Sequence, residues 1–86
     1  MELEFTDRFQ REYNALSVSD SRRVDKALRF LAEDPRHNSL RVKKVEGTRD
    51  IWEARASDAI RLTFKMQADL ITLRSVGSHD EVLKNP

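Results

Sequence analysis

The sequence predicts an α+β fold in which a two-helix hairpin packs on a twisted, mainly antiparallel four-stranded sheet. Residues 1–5 alternate apolar and charged side chains, as a half-buried strand does. Two stretches with apolar residues at helical spacing follow. Residues 49–76 then alternate again through three strands that two short turns separate. The predicted order of elements is therefore β-α-α-β-β-β, with the first strand beside the last in parallel because a helical crossover connects it to the others.

Length and composition limit the possible classes of protein. The chain has 86 residues, so we expect one domain that spans residues 1–86. It contains no cysteine, which excludes a disulfide framework and thiolate metal ligands. No apolar run approaches the roughly 18 residues that cross a bilayer, and the acidic, alternating start lacks the pattern of a signal peptide. We therefore expect a cytoplasmic protein without a membrane partner.

The first helix is predicted from about Asp7 to Leu16. Phe9, Tyr13 and Leu16 recur at i, i+4 and i+7, which gives the helix one apolar face. Thr6 precedes it as a candidate N-cap, and Asp7 places a negative charge in the first turn, where the helix dipole favours it.

The second helix is predicted from about Asp20 to Glu33. Its apolar stripe consists of Val24, Ala27, Leu28 and Leu31. Asp34 precedes Pro35, and a residue before proline is pushed out of helical conformation, so the helix ends there.

Residues 36–48 are predicted to be irregular and basic. Leu40, Val42 and Val45 are the expected anchors on the body of the protein. Basic side chains alternate with these anchors and are expected to project: Arg41, Lys43 and Lys44. Gly47 predicts a turn before the next strand.

The three strands of residues 49–76 carry one arginine each: Arg55, Arg61 and Arg74. Successive side chains of a strand point to opposite faces of the sheet. If the apolar residues of all three strands face the helices, the three arginines share the opposite face. Guanidinium groups gathered in this way form a candidate anion-binding surface, although a charged surface without a function is the simpler alternative.

The residue inventory excludes most common catalytic sites. Two distant histidines form no metal-ligand cluster, two glycines form no phosphate-binding loop, and no serine lies in a nucleophile elbow. We therefore expect neither a metal nor a cofactor. Arginine binds phosphate through its planar fork, which suits either binding of a nucleic-acid backbone or cleavage at a ribose 2′-hydroxyl.

Three stretches resemble one protein family: ALRFLAEDPRHNSLRVKKVEGTRDIWEARA, AIRLTFK and ITLRSVGSHDEVL. They are similar to the RelE/ParE superfamily of type II toxin–antitoxin toxins, and the resemblance covers nearly the whole chain. It implies the β-α-α-β-β-β fold. It also implies one of two activities, either ribosome-dependent cleavage of mRNA without a metal or inhibition of DNA gyrase.

The resemblance implies roles for individual residues. Arg61 and Arg55 would stabilise the cleaved phosphate, and His79 would act as general acid or orient the leaving group. The remaining basic residues of the expected nucleic-acid-binding set are Lys43, Lys44, Arg41, Arg74 and Lys65. Two positions depart from the family pattern: Leu83 stands where many ribosome-dependent members have a tyrosine, and Glu53 stands where some nucleases have a basic residue.

The leading hypothesis from the sequence is a toxin that cleaves mRNA in the ribosomal A site. Its expected partners are a cognate antitoxin, the ribosome and mRNA, with operator DNA as the target of the toxin–antitoxin complex. The alternatives are a gyrase inhibitor without nuclease chemistry and an inactive relative that serves only as an antitoxin-binding or autoregulatory partner.

Overall fold

A five-stranded sheet runs through the structure. The computed structural model describes residues 1–86. The strands are β1 (Glu2–Phe5), β2 (Lys43–Lys44), β3 (Trp52–Arg55), β4 (Ile60–Gln67) and β5 (Leu70–Ser78), and their order across the sheet is β1-β5-β4-β3-β2. The helices are α1 (Asp7–Asn14), α2 (Val18–Glu33) and α3 (His79–Lys84). None of them has the length and apolar character that crossing a membrane requires.

The predicted fold class is confirmed. Strand β1 pairs in parallel with β5, and all other neighbouring strands are antiparallel. The helices α1 and α2 form the crossover between β1 and the rest of the sheet, as the sequence predicted. The structure adds a fifth strand to the predicted four, because Lys43 and Lys44 pair with Glu53 and Trp52 instead of lying in an irregular loop.

Polar caps set the starts of both long helices. The Thr6 hydroxyl accepts a hydrogen bond from the Phe9 amide at 3.1 Å, and the Ser17 hydroxyl accepts one from the Asp20 amide at 3.1 Å. Because Ser17 is the cap, α2 begins at Val18, two residues before the predicted start. It ends at Glu33, and Asp34 is extended, as a residue before proline should be.

The core lies between the helices and one face of the sheet. Its fully buried members include Val24 and Leu31 from α2, Leu62 and Phe64 from β4, and Leu73 from β5. Alternation along β4 places these apolar side chains on the helix side and leaves Arg61, Thr63 and Lys65 on the other.

An irregularity in β5 lies at Arg74. Thr63 pairs with Ser75, but the next residue, Phe64, pairs with Leu73, so Arg74 is the extra residue of a β-bulge. Its Nε donates to the Pro86 backbone oxygen at 3.3 Å. Thr63, which lies on the Arg61 face, donates to the same oxygen at 3.0 Å, so Arg74 lies on the predicted face with its guanidinium turned toward the Pro86 backbone.

The short helix α3 packs on the sheet face that carries Arg61. Gly77 pairs directly with Arg61, so a side chain on Gly77 would share the Arg61 face. A Cβ atom there would lie 3.4 Å from the Cγ2 of Val82, which is buried. Helix α3 thus covers the β5 part of this face, and the face stays open over β3 and the start of β4.

Replacement of Thr6 by alanine tests how β1 is joined to α1. Besides capping α1, the Thr6 hydroxyl donates to the Arg74 carbonyl of β5 at 3.2 Å. We expect the free energy of unfolding in urea to fall by about 1 kcal/mol in Thr6→Ala, because the cap is lost. Thr6→Ser keeps the hydroxyl and should retain most of the stability. Equal stability of Thr6→Ala and the unchanged protein would contradict the capping role.

Candidate nucleic-acid-binding and catalytic site

The site is organised around two arginines that are directly opposite on neighbouring strands. Arg55 of β3 pairs with Arg61 of β4, and Gly77 of β5 pairs with Arg61 on its other side. Side chains that are opposite in an antiparallel pair have Cβ atoms about 5 Å apart, and like charges at that distance repel. The repulsion has to be offset by groups that neutralise or hold each guanidinium.

Arg61 is held by backbone oxygens at the turn between β3 and β4. Its Nη1 donates to the carbonyls of Ser57 at 2.6 Å, Asp58 at 3.1 Å and Ile60 at 3.2 Å. Its Nε lies 3.9 Å from Oε1 of Glu53, and the side chain is 16% exposed. The guanidinium is therefore fixed in place before any ligand arrives, which lowers the entropic cost of binding an anion there.

Arg55 is held less firmly. It forms an ion pair with Asp58, whose side chain is 91% exposed. Such solvent-exposed ion pairs contribute little to stability, so an incoming phosphate can replace the Asp58 carboxylate at low cost. One arginine of the pair is thus rigid, and the other can change its partner.

Glu53 lies in the site although the sequence placed it in neither the predicted catalytic set nor the predicted binding set. It is 4% exposed, and it pairs across the sheet with Lys43 of β2 and Thr63 of β4. Alternation along β3 had already placed it on the face of Arg55. A buried carboxylate needs a nearby cation, and Arg61 provides it.

One open cleft of about 490 Å³ joins these residues. We call it the basic cleft; it is lined by Arg41, Val42, Lys43, Glu53, Arg55, Arg61 and His79. All three residues of the predicted catalytic set line it, together with two of the predicted nucleic-acid-binding set. Four cationic side chains, one carboxylate and one imidazole thus surround a space that is open to solvent.

His79 is positioned by the start of α3. Its amide donates to the Ala59 carbonyl at 3.0 Å, which ties the helix to the turn before β4. The ring is about half exposed, and its Nδ1 lies 3.3 Å from Oδ1 of Asp80. The other ring nitrogen, Nε2, has no hydrogen-bond partner within the chain.

The other predicted binding residues lie outside the basic cleft. Lys44 lines an adjacent cavity of about 460 Å³ that also contains Lys43, Glu53 and Leu83. Lys65 lies two residues beyond Thr63 on β4. Its Nζ is 3.6 Å from Oδ2 of Asp50. Arg74 is turned toward Pro86. No three histidine, aspartate or glutamate side chains converge in the way that metal ligands do.

The architecture matches solved structures of small toxins. YafQ from E. coli superimposes with a TM-score of 0.80 at 12% sequence identity, over 94% of this chain and 96% of that one. The chain has the RelE-like toxin fold. The YoeB/ParE toxin from Agrobacterium tumefaciens superimposes with a TM-score of 0.77 at 13% identity, over 92% and 99% of the two chains.

A chain of the intact E. coli RelBE toxin–antitoxin complex shares the same fold. It superimposes with a TM-score of 0.70 at 24% identity, over 88% of this chain and 93% of that one. No protein-family model and no curated protein sequence matches this chain. Sequence identities of this size establish the fold only, so the chemistry has to be argued from the residues of the basic cleft.

A double-mutant cycle tests whether Arg61 and Glu53 depend on each other. Removal of one member of a buried ion pair leaves an uncompensated charge, and such changes cost about 3–5 kcal/mol when burial is complete. We expect Arg61→Ala to lower the free energy of unfolding by about 3 kcal/mol. In the double variant with Glu53→Gln, at least about 1 kcal/mol of that loss should be recovered. Strictly additive effects in urea unfolding would show that the two side chains are not coupled.

Proposed function

We propose that this chain is the toxin of a type II toxin–antitoxin system and that its basic cleft cleaves mRNA on the ribosome without a metal cofactor. The observation that carries the proposal is the convergence of Arg55, Arg61, Lys43 and His79 on one cleft of a RelE-like fold. A rigid guanidinium, a second guanidinium with an exchangeable partner and an imidazole are the groups that phosphate-ester cleavage at a ribose requires.

In the proposed reaction the ribose 2′-oxygen attacks the adjacent phosphorus atom. The 2′-O–P bond forms, the bond from phosphorus to the 5′-oxygen of the next nucleotide breaks, and a 2′,3′-cyclic phosphate results. Arg61 and Arg55 stabilise the negative charge that develops on the non-bridging oxygens. Protonated His79 gives its proton to the departing 5′-oxygen, which leaves as a hydroxyl.

The proton of the 2′-hydroxyl needs an acceptor. Glu53 is the one carboxylate among the residues that line the basic cleft, and it lies next to Arg61. We assign it this role, in which it also holds the Arg61 guanidinium. Lys43, which is opposite Glu53 in the sheet, and Arg41 line the same cleft and would contact the neighbouring phosphates of the RNA.

An antitoxin partner follows from the same proposal. The E. coli RelBE structure is a toxin–antitoxin complex, which supports a protein partner for a chain of this fold. This chain has an apolar groove of about 300 Å³ between β1, α1 and α2, lined by Phe5, Phe9, Tyr13 and Leu28. Phe5 is 37% exposed there, which makes the groove the proposed antitoxin-docking surface. The pair would then bind operator DNA.

Toeprinting of translating ribosomes tests the proposed activity. We expect the purified protein to produce cuts at A-site codons. Arg61→Lys keeps a cation beside Glu53 but loses the planar fork, so cleavage should slow by about 100-fold or more. Arg29→Ala removes one exposed charge on α2 outside the basic cleft and serves as the control. Absence of cuts together with gyrase-dependent DNA cleavage would contradict the proposal and favour a gyrase inhibitor.

A substrate with a sulfur atom in place of the 5′-bridging oxygen tests His79 separately. A thiolate leaves without prior protonation, so it does not need a general acid. We expect His79→Gln to cleave ordinary mRNA about 100-fold or more slowly and to cleave the sulfur substrate almost as fast as the unchanged protein. Arg61→Lys should stay slow with both substrates. If the sulfur substrate fails to rescue His79→Gln, the general-acid assignment is wrong.

A further inference from the structure

A second cleft lies next to the basic cleft, and the segment that follows α2 forms part of its lining. It has a volume of about 670 Å³, which is in the range of nucleotide-sized ligand sites. We call it the side cleft; its lining includes Arg36, His37, Arg41, Val42, Trp52 and Met66. Arg41 and Val42, which directly precede the edge strand β2, line both clefts. Trp52 and Met66 lie on the helix side of the sheet and Arg55 and Arg61 on the opposite side, so the two clefts adjoin at this edge. A strand that occupies the basic cleft would pass Arg41 and turn around the edge to enter the side cleft.

The charge of the side cleft is positive. Arg36 and Arg41 are exposed and form no ion pair within the chain, and no carboxylate lines the cleft. The nearest acidic neighbour in sequence, Asp34, accepts a hydrogen bond from the Arg36 backbone amide at 2.9 Å rather than from its guanidinium. Both guanidiniums are therefore free to bind phosphate oxygens.

The remaining lining of the side cleft is apolar or offers hydrogen bonds. Trp52 is half-buried with one part against the core, and Met66 is 38% exposed. His37 stacks on Phe30 with ring centroids 4.0 Å apart and 7° between the planes. Its Nδ1 accepts from the Ser39 amide at 3.2 Å, which leaves the proton on Nε2 as a donor. An aromatic ring, a thioether and a fixed donor suit the face and edge of a nucleobase.

We propose that the side cleft binds an unpaired nucleotide of the RNA strand whose scissile phosphate lies in the basic cleft. The base would stack on Trp52 and Met66, and Arg36 and Arg41 would hold its phosphates. The proposal rests on the proposed function, since it takes RNA as the ligand of the basic cleft. It adds a base-binding subsite, which would make Trp52 a contributor to substrate selection as well as a core residue.

Trp52 is the single tryptophan of the chain, so its fluorescence reports directly on the side cleft. The probe is a single-stranded RNA hexamer with 2′-O-methyl groups, which cannot be cleaved through the 2′-oxygen. Binding is followed by anisotropy of a label on the RNA, and stacking is followed by quenching of Trp52. We expect saturable quenching with the hexamer, and binding without quenching with an abasic hexamer of equal length.

Two double variants separate the side cleft from general attraction to a polyanion. Arg36→Ala with Arg41→Ala should weaken hexamer binding by about tenfold or more. Arg22→Ala with Arg29→Ala removes the same charge from exposed positions on α2 that line neither cleft, and it should weaken binding by less than about threefold. Equal losses in the two double variants would overturn the proposal.

The fluorescence result is independent of cleavage. If ribosomes are cut but saturating hexamer leaves Trp52 unquenched, the side cleft is not a base-binding subsite, although the proposed function stands. Quenching of Trp52 in a protein that cuts no ribosomal mRNA supports the subsite and contradicts only the nuclease activity. Quenching by a protein partner in place of RNA would show that the side cleft is a protein-docking surface and would overturn the proposal.

Discussion

The site depends on two arginines of like charge that lie opposite each other on neighbouring strands, because their repulsion has to be offset. Arg55 and Arg61 are directly opposite each other, an arrangement that a sheet tolerates only when each charge is neutralised. The structure neutralises them unequally. Arg61 is enclosed by three carbonyls and the buried carboxylate of Glu53, whereas Arg55 has a partner, Asp58, that is almost fully in solvent. This inequality gives a fixed anion-binding group beside one that is free to reorganise.

The turn between β3 and β4 links this electrostatic arrangement to the fold. The carbonyls that hold Arg61 belong to Ser57, Asp58 and Ile60, and Asp58 is also the partner of Arg55. The Ala59 carbonyl of the same turn accepts the amide of His79 and so fixes the start of α3. A single turn of a few residues therefore positions three of the side chains that line the basic cleft. Changes in its length or sequence should disturb all three together.

Much of this arrangement was predictable because it follows from side-chain alternation. The two-residue period placed Arg55 and Arg61 on the face away from the helices, and cap residues located α1 and α2. The β-bulge at Arg74, after which Ser75 instead of Arg74 pairs with Thr63, was not predicted because nothing in the local sequence of β5 indicates it. The strand at Lys43–Lys44 was missed since two residues are too few to show alternation.

The role of Glu53 was not predictable from the strand pattern. Alternation placed Glu53 on the same face as Arg55, and an acidic residue beside basic ones on a strand is usually an exposed surface charge. Only the structure shows that Glu53 is 4% exposed and that its Oε1 lies 3.9 Å from Nε of Arg61. The side cleft was missed for a similar reason. Arg36, Arg41, Trp52 and Met66 come from separate segments, and only the folded chain brings them together around one cleft.

The central claim is that the basic cleft directs a ribose 2′-oxygen at the neighbouring phosphate. The most direct measurement is mass spectrometry of the fragments from ribosome-bound mRNA. Mg²⁺ is kept in the reaction so that the ribosomes stay intact. The result is read from the chemical groups at the ends of the fragments. Attack by the 2′-oxygen should leave a 2′,3′-cyclic phosphate on the upstream fragment and a 5′-hydroxyl on the downstream fragment. A 3′-hydroxyl with a 5′-phosphate would mean that water, and not the 2′-oxygen, attacks phosphorus, and it would contradict the roles assigned to Glu53 and His79.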